Sequence, residues 1–183
     1  MIRDDADQTP RSGGGSSFPG LVLRDERPGD ADAIRALVAA AFAPMDYSDG
    51  SEPEIVDRLR ADGELLVSCV AGRDGQILGH VAASPARLGG QAGWVGIGPV
   101  AVHPDHQRQG IGGAMMRHVL DRLRAAPAAR GVVLIGDPNY YGRFGFVAEC
   151  GVTWRDIPTE YVQRLTLSGP EAAGEITYAR AFD

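Results

Sequence analysis

Cysteine is scarce in this sequence. It has two, Cys69 and Cys150, and neither belongs to a C-x-x-C pair. Neither a disulfide framework nor a nucleophilic cysteine is expected; both residues read as reduced thiols in apolar surroundings. No apolar run is long enough to span a bilayer, and the opening Met1-Ile2-Arg3-Asp4-Asp5 lacks the apolar segment of a secretion signal. The chain is therefore expected in the cytoplasm, away from membranes. A basic block is also missing: 24 acidic side chains outnumber 18 basic ones, for a net charge of -6 at pH 7. A nucleic-acid groove is not expected, while an acidic surface suits a cationic small molecule. No G-x-x-x-x-G-K-[ST] loop occurs and no lysine lies near Gly110, which removes a Walker-type nucleotide site. Gly110-Ile111-Gly112 followed by Gly113-Ala114-Met115 does not complete G-x-G-x-x-G, which disfavours a dinucleotide fold. No internal repeat is visible.

What remains is one domain's worth of chain, 183 residues with 44% hydrophobic side chains and a mean hydropathy of -0.14. Residues 1–20, with Asp4, Asp5, Asp7 and the Ser12–Ser17 glycine-serine run, read as a flexible polar tail, and 21–183 as a single domain. Leu21–Glu26 reads as a strand. Asp30 is a candidate N-cap for a helix with the stripe Ile34, Leu37, Val38, Ala41 and Phe42, stopped by Pro44. Ser51-Glu52-Pro53-Glu54 has the form of a capping box before a short second helix ending near Gly63. Two strands, 65–72 and 76–88, flank the Asp74-Gly75 hairpin signal, and Gly89–Gly93 reads as a connector. Ile111, Met115, Met116, Val119, Leu120 and Leu123 mark the buried face of a helix running to Ala125. Gly131–Gly136 is an unalternating apolar run, fitting a strand covered on both faces. Short strands are expected over 161–167 and 175–178. The order defines an α/β protein with a mixed sheet and helices on both faces.

The informative stretch is Gly98–Arg117. An apolar strand, Trp94–Val102, ends at His103-Pro104, where proline removes the ladder N–H. Gly110, Gly112 and Gly113 then open the long helix. Strand, glycine-bearing turn and helix together gather unpaired backbone N–H groups at a positive helix end, which binds phosphate without a lysine. The reading is that this turn holds a pyrophosphate and the preceding strand presents a thioester. Gly98-Pro99 should interrupt strand pairing and free the backbone of Val100 to Val102 to serve a developing oxyanion.

These residues resemble a known family. Gln107-Arg108-Gln109-Gly110-Ile111-Gly112 is similar to the Q/R-x-x-G-x-G/A acyl-CoA signature of the GCN-related N-acetyltransferases (GNAT), and Val100-Ala101-Val102-His103-Pro104 to the strand leading into it. The string Gly136–Phe146 and the short ending Ala179–Asp183 resemble the YhbS-type branch of predicted bacterial acetyltransferases. The resemblance covers 21–183 and is strongest over 97–146. It implies the GNAT fold, a mixed and mostly antiparallel sheet splayed at the fourth strand. It implies that backbone N–H groups of Gln107, Arg108, Gln109, Gly110, Ile111, Gly112 and Gly113 bind the CoA pyrophosphate, and that Val100, Ala101 and Val102 pair with the pantetheine arm. The implied activity is transfer of acetyl from acetyl-CoA to a primary amine, on a small molecule or a peptide, by direct attack in a ternary complex. The alternatives are a non-catalytic acyl-CoA-binding sensor and a transferase of longer acyl chains.

In the family a tyrosine four residues before the glycine of a Gly-Phe pair protonates the departing thiolate. Tyr141, four before Gly145-Phe146, has that place; a phenol of pKa near ~10 is protonated at neutral pH and matches a thiolate in basicity. The sequence departs from the family where Asp137-Pro138 shortens the helix, leaving Asn139 two residues from Tyr141. Candidates for a general base are Asp46, Asp49, Glu52 and Glu54 near the first interhelical loop, and His80 beside the central strand; an amine losing its proton to water is equally open. Arg108, and less so Arg143, could add charge at the phosphate. His103 and His106 with one Asp make a poor metal set, so no metal is expected. Strands near the C-terminus could pair across a homodimer.

Overall fold

A computed structural model describes residues 19–183; the tail read over 1–20 falls almost wholly outside them. A twisted sheet runs in the order β1-β2-β3-β4-β5-β7. Its strands are β1 (Val22–Asp25), β2 (Val67–Arg73), β3 (Gln76–Leu88), β4 (Gln91–Val102), β5 (Gly131–Ile135), β6 (Val152–Thr153), β7 (Val162–Thr166) and β8 (Gly174–Tyr178). All neighbours on that path are antiparallel except β4 and β5. β8 pairs with the far end of β3, and β6 lies parallel to β8. The helices are α1 (Ala31–Phe42), α2 (Glu52–Ala61), α3 (Ile111–Arg124) and the single turn α4 (Pro138–Tyr141).

The two faces carry separate cores. On one, Met115, Met116, Val119 and Leu120 of α3 cover Val81, Ala83, Val95, Ile97 and Val132. On the other, Ile34, Val38, Val56 and Leu59 of α1 and α2 cover Val70, Ala82 and Ala101. The stripe read for α3 is the one that is buried, and so is that of α1 except for Phe42, which is only partly covered. Asp74 and Gly75, at φ +50° and +81°, make the expected hairpin. Where a connector is expected, a second hairpin forms: Gly89 and Gly90, at φ +55° and +76°, turn the chain straight into β4, so that strand starts at Gln91 rather than Trp94.

Neither proposed helix cap forms. Asp30 makes no side-chain cap bond; its Oδ2 instead accepts from Arg27 N at 2.7 Å and from Arg24 Nη1 at 2.6 Å. Ser51 makes none either, and Asp49 Oδ1 accepts from Ser51 N at 2.9 Å. At Asp30 these nearby partners outcompete the helix end for the short polar side chain.

Candidate active site

β4 and β5 pair only at Trp94↔Gly131, Val95↔Val132 and Gly96↔Val133. Beyond that, β4 stays with β3 as far as Val102↔Gly79, and β5 stays with β7 as far as Ile135↔Val162. A V-shaped cleft therefore opens between Ile97–Val102 and Leu134–Ile135. The cause lies in β4. Opposite the step from Val81 to Ala83 on β3, β4 takes three residues, from Val100 back to Ile97. Gly98-Pro99 is the bulge, and Pro99 has no N–H to offer a ladder. The β4 edge facing the cleft, Val100 to Val102 included, has no strand partner there.

At the open end of the cleft the chain turns through Pro104–His106 and enters α3. Arg108 and Gly110 both have positive φ, +58° and +86°. Glycine adopts this without penalty, and the alternation swings successive N–H groups towards one side. The first helical bond is Ala114 N to Gly110 O at 3.0 Å. Among the described residues, no acceptor takes the N–H groups of Arg108, Gln109, Gly110, Ile111, Gly112 or Gly113. Gln107 differs from expectation: its N–H bonds Pro104 O at 3.3 Å, so the open set begins at Arg108. Its side chain turns back to donate to Val102 O at 3.2 Å, and Gln109 Nε2 donates to Asp105 O at 3.1 Å. The two glutamines thus tie the turn to the strand, while backbone amides and the end of the helix dipole face outward as an anion site.

α4 closes the cleft from the β5 side. Asp137 Oδ1 accepts from both Asn139 N, at 2.9 Å, and Asn139 Nδ2, at 3.0 Å, so Asn139 serves the cap of this turn. Tyr140 and Tyr141 meet edge to face, ring centres 4.9 Å apart, and diverge. The Tyr141 ring lies against Gly136 at the end of β5 and stacks edgewise on Phe146 at 6.0 Å. Burial pushes the Tyr141 phenol well above its ordinary value, and the neighbouring phenols Tyr140 and Tyr47 push it further. Tyr47, in the α1–α2 loop, is largely exposed at 79%. Tyr140 turns the other way, towards Gly112 in the first turn of α3. Sequence reasoning passed over that contact and over Arg117. The only signal for Arg117 is its spacing, one helical turn after Gly113, which directs its side chain back along α3.

The base candidates are largely engaged elsewhere. Glu52 accepts from Ser48 Oγ at 2.7 Å, Glu54 pairs with Arg58 at 3.1 Å, and Asp49 holds Ser51 N. His80 does not reach the cleft. Gly79 faces Met115 and Ile111 of α3, so alternation puts His80 on the opposite face, wholly buried beside Val70 and Ala82. Its Nε2 lies 2.8 Å from Ser68 Oγ, and Ser68 hydrogen-bonds Glu26. Arg60 holds that carboxylate at 2.6 Å. Burial lowers the His80 pKa to about 4, against the opposing pull of Glu26, so the ring is neutral. His103 and His106 stand with ring centres 5.7 Å apart, and His103 Nδ1 accepts from Asp105 N at 3.3 Å. Among the described residues, no three His, Cys, Asp or Glu side chains gather as a metal site. No helix among them is long and apolar enough to cross a membrane.

A strand pair opened by a bulge, with unpaired amides at its mouth and a tyrosine turn on its far side, is the framework of an acyl-CoA-dependent transferase. Residues 32–146 match the acetyltransferase (GNAT) family. The chain belongs to that family. It is 38% identical over 128 residues to an N-acetyltransferase of Escherichia coli K12 called YhbS and described as uncharacterized, covering 69% of this chain and 73% of that one. It superposes on a GNAT acetyltransferase from Brucella melitensis, crystallised with acetyl-CoA, with TM-score 0.79 and 47% identity, covering 89% of this chain and 98% of that one. The Escherichia coli YhbS crystal structure, in complex with CoA, gives TM-score 0.80 and 31% identity over 93% of this chain and 96% of that one. The protein is a GNAT acetyltransferase of the YhbS type.

Proposed function

We propose that residues 21–183 form one catalytic domain that transfers acetyl from acetyl-CoA to a primary amine, on a small molecule or a peptide, by direct attack within a ternary complex. The observation that carries this reading is the run of open amides from Arg108 to Gly113 at the mouth of the β4–β5 cleft. Those amides bind the diphosphate, and the unpaired edge of Val100–Val102 receives the amide-bearing pantetheine arm as a strand would. The thioester then lies beside the Gly98-Pro99 bulge, and backbone N–H groups of Val100–Val102 freed by it stabilise the oxyanion.

The amine nitrogen attacks the thioester carbon as a free base. The C–N bond forms, the C–S bond breaks, and the amine's proton passes to water. Tyr141 gives its phenolic proton to the departing sulfur and regains one from solvent. Its raised pKa keeps that proton available at any pH where the amine is free.

The test is acetyl-CoA consumption across polyamines, aminoglycosides, amino acids and peptides with free N-termini. With the amine that turns over, Tyr141→Phe is expected to lower kcat by about 10²–10³-fold at unchanged CoA affinity. CoA binding without turnover on any of them would instead mark a sensor. A preference for longer acyl-CoA would correct the donor.

A further inference from the structure

The last bond of the β5–β7 ladder is made by a side chain. On the register of the two strands, Gly136 stands opposite Tyr161, and the pair should exchange both backbone hydrogen bonds. Only one forms: Gly136 N donates to Tyr161 O at 3.0 Å, but Tyr161 N turns to Pro158 O, also at 3.0 Å. Gln163 fills the gap, its Nε2 donating to Gly136 O at 2.8 Å. That carbonyl belongs to the peptide joining Gly136 to Asp137. Asp137 O in turn accepts from Tyr140 N and Tyr141 N, both at 3.0 Å, and so opens α4. The Tyr141 ring packs against Gly136 itself. A side-chain amide on β7 thus holds the peptide from which the tyrosine turn leaves the sheet.

Gln163 is wholly buried, on the face of β7 that it shares with Leu165, and is paired with Leu134 of β5. Because Gly136 O can only accept, Nε2 is the atom that faces it, and Oε1 points elsewhere. Among the described residues, Oε1 has no hydrogen-bond partner. A buried carbonyl without a donor destabilises the fold relative to an apolar side chain of the same length. Core packing therefore does not account for an amide here, whereas the bond to Gly136 O does. We propose that Gln163 is a positioning residue for acetyl transfer, fixing the peptide between Gly136 and Asp137 and, through it, the place of the Tyr141 phenol. This rests on the reading of Tyr141 as the proton donor.

NMR of the whole chain, with its tyrosines isotope-labelled at the ring Cζ, tests this without an acceptor amine. There are five tyrosines, and the line lost in Tyr141→Phe is that of Tyr141. Gln163→Met keeps the length of the side chain and removes the donor. In that variant the Tyr141 line is expected to shift, and to begin ionising at a lower pH than in the parent, as the loosened ring meets water. The line of Tyr178, in the separate cluster with Trp154, should stay in place. Should Gln163→Met fail to fold, Gln163→Glu decides. Its carboxyl donates to Gly136 O only while protonated, so the Tyr141 line should match the parent at mildly acidic pH and depart as the carboxyl ionises. With an amine that turns over, Gln163→Met should also lower kcat about tenfold at unchanged CoA affinity, and lower it no further in the Tyr141→Phe background. The proposal falls if the Tyr141 line keeps its parental position and titration, if Tyr178 moves as far as Tyr141, or if the kcat loss is equal in both backgrounds. An unchanged kcat in Tyr141→Phe alone would instead overturn the proton-donor reading, and this proposal with it.

Discussion

The ring of Tyr141 packs against Gly136: a Cβ at that glycine would come within 3.0 Å of Tyr141 Cδ2 and closer still to Cε2. The end of β5 thus sets where the phenol can stand, and position 136 must lack a side chain for it to stand there. Gly136→Ala is expected to push the ring out of line at a stability cost of about 1–3 kcal/mol, the usual range for overpacking. Because the amides from Arg108 to Gly113 lie on another element, CoA affinity should hold while kcat falls. Calorimetry for CoA beside steady-state kinetics separates the two, and equal losses in both would sink the idea.

The pH profile follows from the same phenol. Burial, with Tyr140 and Tyr47 adding to it, raises the pKa of Tyr141 above its ordinary value of 10.0. A raised pKa keeps the acid form present throughout the alkaline range. With an alkyl amine acceptor, kcat/KM should climb with pH as the amine loses its proton and then level off, with no falling limb up to about pH 10. A bell-shaped profile centred near neutrality would show that some other group supplies the proton.

Much of this site could be read in advance because it depends on local backbone demands. Gly110 needs positive φ, Pro99 and Pro104 cannot donate to a ladder, and Tyr141 sits at a fixed distance from Gly145-Phe146; each is a statement about neighbours in sequence. Tyr140 over Gly112 and Arg117 over Gly113 are different. The first joins residues far apart in the chain, and the second depends on a side-chain direction that charge alone does not give. His80 was harder still. A register shift in the β2–β3 pairing, between Ala71 and Gly72, breaks simple alternation near Leu78, and only the observed parity puts His80 under α1 instead of beside the cleft. β6 was not foreseen because it is two residues long and paired parallel to β8.

His80 gives the stability its own pH dependence. Its folded pKa is lowered from 6.5 to about 4, so between those values the unfolded chain binds the proton that the native chain refuses. Stability is therefore fully present above 6.5 and declines as pH falls towards 4, by about 3 kcal/mol over the interval. Glu26 adds to the decline lower down. Burial alone would raise its pKa, but hydrogen bonds from Arg60 and Ser68 outweigh that and hold it below 4.5, so its contribution is lost as pH drops through the folded value. Denaturant titrations at a series of pH values should show this slope, and His80→Leu should flatten it between pH 4 and 6.5. An unchanged slope in His80→Leu would mean that another group binds the proton.

The contact between Gly112 and Tyr140 can be tested without any ligand. Alanine is the better helix former by about 1 kcal/mol, so at an unobstructed first turn Gly112→Ala should stabilise α3. Here the new methyl would meet Tyr140 Oη at 2.8 Å, while the next ring atom, Cζ, is 3.9 Å away and Val102 Cγ2 is 3.5 Å away. The hydroxyl is thus the only atom in the way. Gly112→Ala alone is expected to cost about 1 kcal/mol, as the phenol is forced to shift. In the Tyr140→Phe background, where that oxygen is gone, the same substitution should become neutral or stabilising. A double-mutant cycle read by chemical denaturation then gives a coupling of about 1–2 kcal/mol. If Gly112→Ala costs the same in both backgrounds, the two side chains do not meet, and the glycine answers to the turn alone.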